Sequence, residues 1–513
     1  MRSRRTLGVL AALAAASLAL TACGGGAATD TDDGGAPASA PLLRLGSMLE
    51  LQSWDPAQAN EGHFSPLYQS VYDTLLKREP DGSLAPMLAE DWAVSDDDLG
   101  LTLTLREDVV FTDGEVFDSA AVKANVEHFQ AGNGPFASSL AAVESVETPD
   151  DSTVVLRLSE PDPSLPFVLS EAGGYMASPA ALDDPALATM PVGSGPYTLD
   201  ATNTVTGSKI TMVRNPDYWG DDLPYDMIEF HVMTDETARL NALRSGQVDA
   251  AVFNRAAAAI EAEAAGLHSE PYTNNWVGLL LFDRDGAILP ELADARVREA
   301  LALAVDSASI LEVVELGKGE PTSQTFGPLS TGYFEELDST YEYDPERAEE
   351  LLAEAGAQDL AITLPVSSAF DPSIYDAIIQ NWEDIGISVS RHQWGPGEAI
   401  PSMQQGDFPI ALMRLGQRES WRHIQFLVAP DAPWNPMHSS TPELEELIRT
   451  AQYGDEAERD QAAKDINQYL VDEVWFVPMF RVVNHFYWND TVSVEQQLDQ
   501  PVPSIYNYAP AGN

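Results

Sequence analysis

A single cysteine, Cys23, stands in 513 residues. No disulfide can staple the chain, so everything beyond it must be held by burial and hydrogen bonding alone. Roughly 470 residues follow the low-complexity start, more than one hydrophobic core ordinarily organises, and two or more lobes are expected. Hydrophobic residues make up 44% of the sequence, a proportion that supports packed cores. After the N-terminal run there is no stretch of about 20 apolar residues, so no later segment is expected to span a membrane.

Cys23 also carries information on compartment. Arg2, Arg4 and Arg5 precede an apolar run from Leu7 to Leu20, and Leu20-Thr21-Ala22 lead into the cysteine. A basic start, a short apolar stretch and small residues before a cut read as a signal peptide over residues 1–22. The segment resembles the bacterial lipobox. That resemblance implies a lipidated Cys23 as the mature N-terminus and an extracytoplasmic protein anchored to the cell membrane by that lipid. The alternative is a plain signal peptide with Cys23 as an odd thiol. Arg4-Arg5 leaves general and twin-arginine export both open. Residues 23–40, rich in Gly, Ala, Thr, Asp, Ser and Pro, read as a flexible tether.

The charge balance is extreme: 27 Lys and Arg against 81 Asp and Glu, a net charge of −54. Nucleic-acid binding is excluded, since phosphate contact needs basic patches. Such self-repulsion favours solubility and a monomer. It also gives any cluster of bases a meaning it would lack elsewhere.

Strand and helix signals alternate along the chain. Leu101 to Leu105 alternates apolar and polar, as Val154 to Leu158 does in part, and both predict half-buried strands. Val122, Val126 and Phe129 recur at helical spacing after Ser119, which is read as the N-cap. Asp235 caps a helix bearing Leu240 and Leu243 that stops at Gly246. Asp344-Pro345 opens a helix through Leu351 and Leu352 that ends at Gly356, and Thr441-Pro442 repeats the device before Leu444, Leu447 and Ile448. This mixture predicts an α/β fold.

Several segments share one order. Ser53-Trp54-Asp55-Pro56 comes first, then Pro80-Asp81-Gly82, Leu84-Ala85-Pro86 and Leu88-Ala89-Glu90-Asp91-Trp92. Phe111-Thr112-Asp113-Gly114-Glu115, Gly193-Ser194-Gly195-Pro196-Tyr197 and Arg214-Asn215-Pro216-Asp217-Tyr218-Trp219 follow. Ser245-Gly246-Gln247-Val248-Asp249, Arg296 to Leu301 and Tyr343-Asp344-Pro345 complete the series. Together they resemble the solute-binding proteins of peptide- and nickel-type ABC importers, the large family 5. These motifs are read as scaffold: Gly193 and Gly195 as turn positions, Pro86, Pro196 and Pro216 as fixed backbone angles.

The resemblance implies a two-lobed, periplasmic-binding-protein-like α/β fold of the large, three-subdomain class with a ligand cleft between the lobes. Lobe I would hold residues 41–271 and 483–513, with an inserted subdomain at about 71–190, and lobe II residues 272–482. It implies capture of a peptide or peptide-like solute by hinge closure, and delivery to ABC permease subunits in the membrane. A metal chelate or oligosaccharide on the same fold, and an extracytoplasmic sensor, are the alternative roles.

Many peptide-binding members carry an acidic residue in a W-x-x-D type loop after an apolar strand of lobe II. Here that strand corresponds to Asp407–Met413, with Leu415 at the expected Trp and Arg418 at the expected Asp, Glu419 being the next acid. Arg414, Arg418, Arg422 and His423 gather within ten residues. Arginine forks suit carboxylate or phosphate, and Trp394 and Trp421 offer stacking surfaces. An anionic group on the ligand is therefore expected, unless these bases serve only to pair with surface carboxylates. The candidate ligand residues are Met413, Arg414, Arg418, Trp421 and Trp394, with Ser47 and Glu50 after the first strand and Asn274 and Trp276 at the hinge.

Nothing marks an enzyme. Gly193-Ser194-Gly195 lacks the G-x-S-x-G spacing of a nucleophile elbow, and the eight histidines show no H-E-x-x-H spacing. No cofactor and no dedicated metal site are expected.

Overall fold

The computed structural model describes residues 41–512, apart from residue 396 and the side chain of Asn274. The expectations placed on residues 1–40, including the signal peptide, Cys23 and the tether, lie outside the described residues. So does the expectation placed on the Asn274 side chain.

Strand Leu42–Ser47 alternates in burial, with Leu43 and Leu45 inward. It lies parallel to Met227–Val232 on one side and Ala250–Phe253 on the other. These are inner strands of a six-stranded sheet that begins with His485–Trp488 at one edge and ends with Lys209–Arg214 and Tyr197–Leu199 at the other. Between the first strand and Tyr197 the chain builds a separate four-stranded antiparallel sheet, ordered Ala89–Val94, Gly100–Leu105, Thr153–Leu158, Val143–Asp150. Helix Ser119–Ala131 covers it, burying Val122, Val126 and Phe129. One continuous core joins both sheets and takes in Phe486, Trp488 and Tyr508 from the C-terminal end.

A second body is built around strand Thr273–Leu281, the partner of both Phe476–Val483 and Ile410–Gly416 in a four-stranded antiparallel sheet. Period-two alternation splits this strand between two cores. Val277, Leu279 and Leu281 face one, with helices Ala295–Leu303, Pro345–Ala355 and Pro372–Asp384. Trp276, Leu280 and the following Phe282 face the other, with helices Pro442–Tyr453 and Glu456–Asp472. The chain passes between the two bodies near 272 and 483. There Thr273 pairs with Val483, and Asn484 N–H donates to the Tyr272 carbonyl at 2.8 Å.

The helix ends follow local chemistry. Asp235, Asp344 and Thr441 accept from the backbone of Ala238, Arg347 and Leu444, and Gly356 takes a left-handed φ of 71° at its helix end. Two expectations change. The cap before Val122 is Asp118, whose carboxylate accepts from Ala121 N–H, while Ser119 is the first helical residue and donates to the Asp150 carbonyl at 2.6 Å. Gly193 and Gly195 are required by close approach, not by turn geometry. A Cβ on Gly193 would lie 1.9 Å from the Val71 carbonyl oxygen, and one on Gly195 2.6 Å from the Val71 carbonyl carbon.

Candidate functional site: a charged cleft between two lobes

Strand Ile410–Gly416 runs out into a loop that faces the first lobe. Glu419 caps the short helix Ser420–His423, accepting from Trp421 N–H at 2.9 Å and Arg422 N–H at 3.1 Å. This cap sets the direction of Arg422. Its guanidinium crosses to the first lobe, meeting Glu171 at 2.5 Å and Glu61 at 3.4 Å. Glu171 also accepts from Arg78 at 2.7 Å and from Gln500 Nε2 at 3.2 Å, and Arg78 reaches Asp499 at 3.1 Å. These side chains are 8–16% exposed, so charges normally left in water are held in the protein and need one another.

Burial acts to raise Glu171, but Arg422 and Arg78 outweigh it and hold its carboxyl below the usual range. Glu61 goes the other way: burial, then the Glu171 charge, raise it. Asp499 is pushed up to about 6, chiefly by burial. Asp499 also holds a left-handed φ of 64°, uncommon for a residue with a Cβ.

Arg418 lies beside this network with a different set of contacts. Its guanidinium stacks on the Phe426 ring at 4.3 Å, and its buried Nε has no hydrogen-bond partner among the described residues. No carboxylate is in ion-pair contact with it there. Burial, then repulsion from Arg422, lower its pKa, as expected for a cation short of counter-charge. The neighbouring Gln417 is 5% exposed with both amide atoms unpartnered. A cavity of 440 Å³ adjoins this loop. Leu101, Asp162 and Phe167 of the first lobe line it together with Leu329, Glu419 and Arg459 of the second. Gln452 Nε2 donating to the Pro161 carbonyl at 3.0 Å also ties the lobes.

The remaining candidates lie in several places. Arg414 pairs with Glu315 of its own lobe at 2.7 Å. His423 is buried, bonded to Thr325 at 2.9 Å and packed on Phe326 at 4.3 Å between ring centres. Trp276 is fully buried in the second-lobe core against Phe476. Trp394 packs edge-on to Phe408, Trp421 is buried in the same core, and Met413 is half-buried against it. Ser47 donates to the Leu49 carbonyl at 2.8 Å and lines a small cavity with His63, while Glu50 is exposed. Of the base cluster, Arg418 and Arg422 are the members brought to the lobe boundary.

Glu61, Arg78, Glu171 and Asp499 were not singled out by the sequence. Three of them are among 81 acids, and only their pairing distinguishes them. Among the described residues no three His, Cys, Asp or Glu side chains gather as a metal site, and no helix is long and apolar enough to cross a membrane.

The family model described as "Bacterial extracellular solute-binding proteins, family 5 Middle" matches residues 83–431, more than half of the chain. The glutathione-binding protein GsiB of Salmonella paratyphi A is 28% identical over 379 residues, covering 71% of this chain and 70% of that protein. Among solved structures, the PBP AgaA in complex with agropinic acid from A. tumefacien R10 superposes with a TM-score of 0.75 at 23% identity, covering 92% of this chain and 99% of that one. HbpA2 from Haemophilus parasuis superposes with a TM-score of 0.80 at 20% identity, covering 91% and 99%. These two structures speak for the fold: a mixed α/β, two-lobed binding protein. The family match, set beside a charged cleft closed by both lobes, places the chain among the bacterial extracellular solute-binding proteins, family 5.

Proposed function

We propose that this protein captures an anionic, peptide-like solute in the cleft between its lobes and delivers it to the permease of an ABC importer, without chemistry on the solute. The moving bodies are residues 41–271 with 483–513, carrying the subdomain at about 71–190, and residues 272–482. The crossings at 272 and 483 act as the hinge. Solute contacts made only in the closed form shift the population towards closure. We assign to Cys23 the role of a lipid anchor that holds the extracytoplasmic protein to the cell membrane, with the signal peptide removed and the protein acting as a monomer.

The observation that carries this reading is Arg418. It is a cation stacked on Phe426 with an unpartnered Nε, next to an unpartnered Gln417 amide, in a loop whose following residues Glu419 and Ser420 line an interlobe cavity. A carboxylate is the natural complement of such a fork, because charge-assisted bonds to guanidinium are the strong ones. The 440 Å³ cavity is of a size that small-solute sites commonly have. A relative is named for glutathione, a short peptide bearing two carboxylates, which makes it the first probe.

Thermal-shift and calorimetric titration against glutathione and short acidic, neutral and basic peptides tests the reading. Acidic members are expected to stabilise the protein, and Arg418→Ala to weaken their binding by about tenfold or more, the loss of one charge-assisted contact. Stabilisation by basic peptides or neutral sugars alone, or unchanged affinity in Arg418→Ala, contradicts it.

A further inference from the structure

Glu61 and Glu171 belong to the same lobe, are both largely buried, and meet one and the same guanidinium, that of Arg422. Two ionised carboxylates crowded on one guanidinium and largely out of water repel each other, and a proton shared between them relieves that repulsion. Arg422 reaches the same pair from the opposite lobe, at 2.5 Å and 3.4 Å. The proton and the cross-lobe contact therefore occupy one place. When the lobes part, the pair meets water, the reason for sharing a proton weakens, and Glu61 returns towards the behaviour of an ordinary carboxylate.

We propose that lobe closure takes up one proton, shared by Glu61 and Glu171 beneath the Arg422 contact, so that the ligand-free protein closes in acid and opens in alkali. This regulates the same cleft and rests on the lobe-closure reading above. Its readout needs no solute, so its failure is distinguishable from a wrong solute assignment.

The direction follows from which form holds the proton. Burial, then the Glu171 charge, raise Glu61 to about 8 in the closed form, outweighing the lowering pull of Arg422 and Arg418. A group raised in one form favours that form below its ordinary value, and the advantage is lost as pH rises through the raised value. The groups around the pair are Arg78, Asp499 and Tyr175 from the first lobe and Arg418 and Arg422 from the second, with His63 two positions along the chain from Glu61; Asp162 and Glu419, both raised chiefly by burial, face Arg422. The arginines hold their charge throughout. Tyr175 is raised well above 10 by burial, and His63 is lowered to about 4 by burial and then Arg239, so both are neutral across the window. Asp499, raised to about 6, titrates within it and needs its own control.

Small-angle scattering of the purified, ligand-free protein from about pH 5 to about pH 9 tests the proposal. The radius of gyration is expected to rise with pH, the closed-to-open ratio falling by up to about tenfold per pH unit, as for a single proton. Glu61→Gln, which supplies a neutral donor permanently, is expected to stay compact across the range. Asp499→Asn is expected to keep the wild-type response. Should Glu61→Gln fail to fold, Glu61→Ala serves, with a pH-independent radius expected because the titrating group is gone. A wild-type radius that does not change with pH overturns the proposal. So does a wild-type pH response in a folded Glu61 variant, or its loss in Asp499→Asn.

Discussion

Buried arginines inside the lobes and buried arginines between them are held by different chemistry. Arg239, within the first lobe, donates to the carbonyls of Val252 at 2.8 Å and Met233 at 2.5 Å, with the Phe253 ring 5.6 Å away. Arg284, within the second, lies 4.0 Å over Trp475 and donates to Asn435 at 2.6 Å and to the Leu281 carbonyl. Neither forms an ion pair among the described residues. Carbonyls and rings do not titrate, so these contacts do not change with pH around neutrality. Burial, then the nearby Arg298 charge, lower Arg284 to about 9, which still leaves it charged at neutrality.

At the lobe boundary, Arg418 on its Phe426 ring apart, the partners are carboxylates. Arg422 crosses to Glu171 and Glu61, and on the first-lobe side Arg78 meets Glu171 and Asp499. Carboxylates gain and lose protons, and two of these three are raised into a range where they can do so near neutrality. An arginine whose donors are met by carbonyls is a fixture of the fold, whereas one on carboxylates can answer to pH and to a competing anion. With a net charge of −54, two lobes approaching each other also repel. The arginines at their boundary oppose that repulsion where it matters.

The largest effect on stability is expected from an arginine inside a lobe. Arg284→Met leaves Asn435 Oδ1 and the Leu281 carbonyl short of a donor and should cost about 3 kcal/mol, read as a lower urea midpoint. An unchanged midpoint would erase the distinction drawn above. Arg422→Met should cost less, about 1 kcal/mol, because its carboxylate partners can regain water when the lobes part. Its signature is instead a larger radius of gyration at neutral pH. A compact Arg422→Met that loses as much stability as Arg284→Met would make Arg422 another fixture of the fold. The smallest effect belongs to Arg347, exposed on a helix beside Glu350 and Glu354. Arg347→Ala should change stability by no more than about 0.5 kcal/mol, and a loss like that of Arg284→Met would contradict the ranking.

What the sequence revealed was mostly local. The alternation of Leu101 to Leu105 places Leu101, Leu103 and Leu105 in the core, because side-chain period and strand geometry are the same fact. Asp344-Pro345 with Gly356 bounds its helix for a similarly local reason. The cap before Val122 falls one residue early because Asp118 and Ser119 are both good caps, and only the backbone decides between them. The base cluster was legible because bases are scarce. Its partners were not: Glu171 and Glu61 lie 251 and 361 positions from Arg422, and no local pattern reports such a pairing. Trp276 shows the same limit for aromatics. Its place on a central strand puts it in a core, a direction that the register determines and composition does not.

The most direct measurement is a crystal structure of the protein with an acidic peptide that stabilises it, glutathione first. The account predicts closed lobes with a ligand carboxylate on the Arg418 guanidinium and the rest of the solute in the adjoining cavity. A bound peptide that leaves Arg418 untouched, or that sits outside the boundary between the lobes, would contradict it.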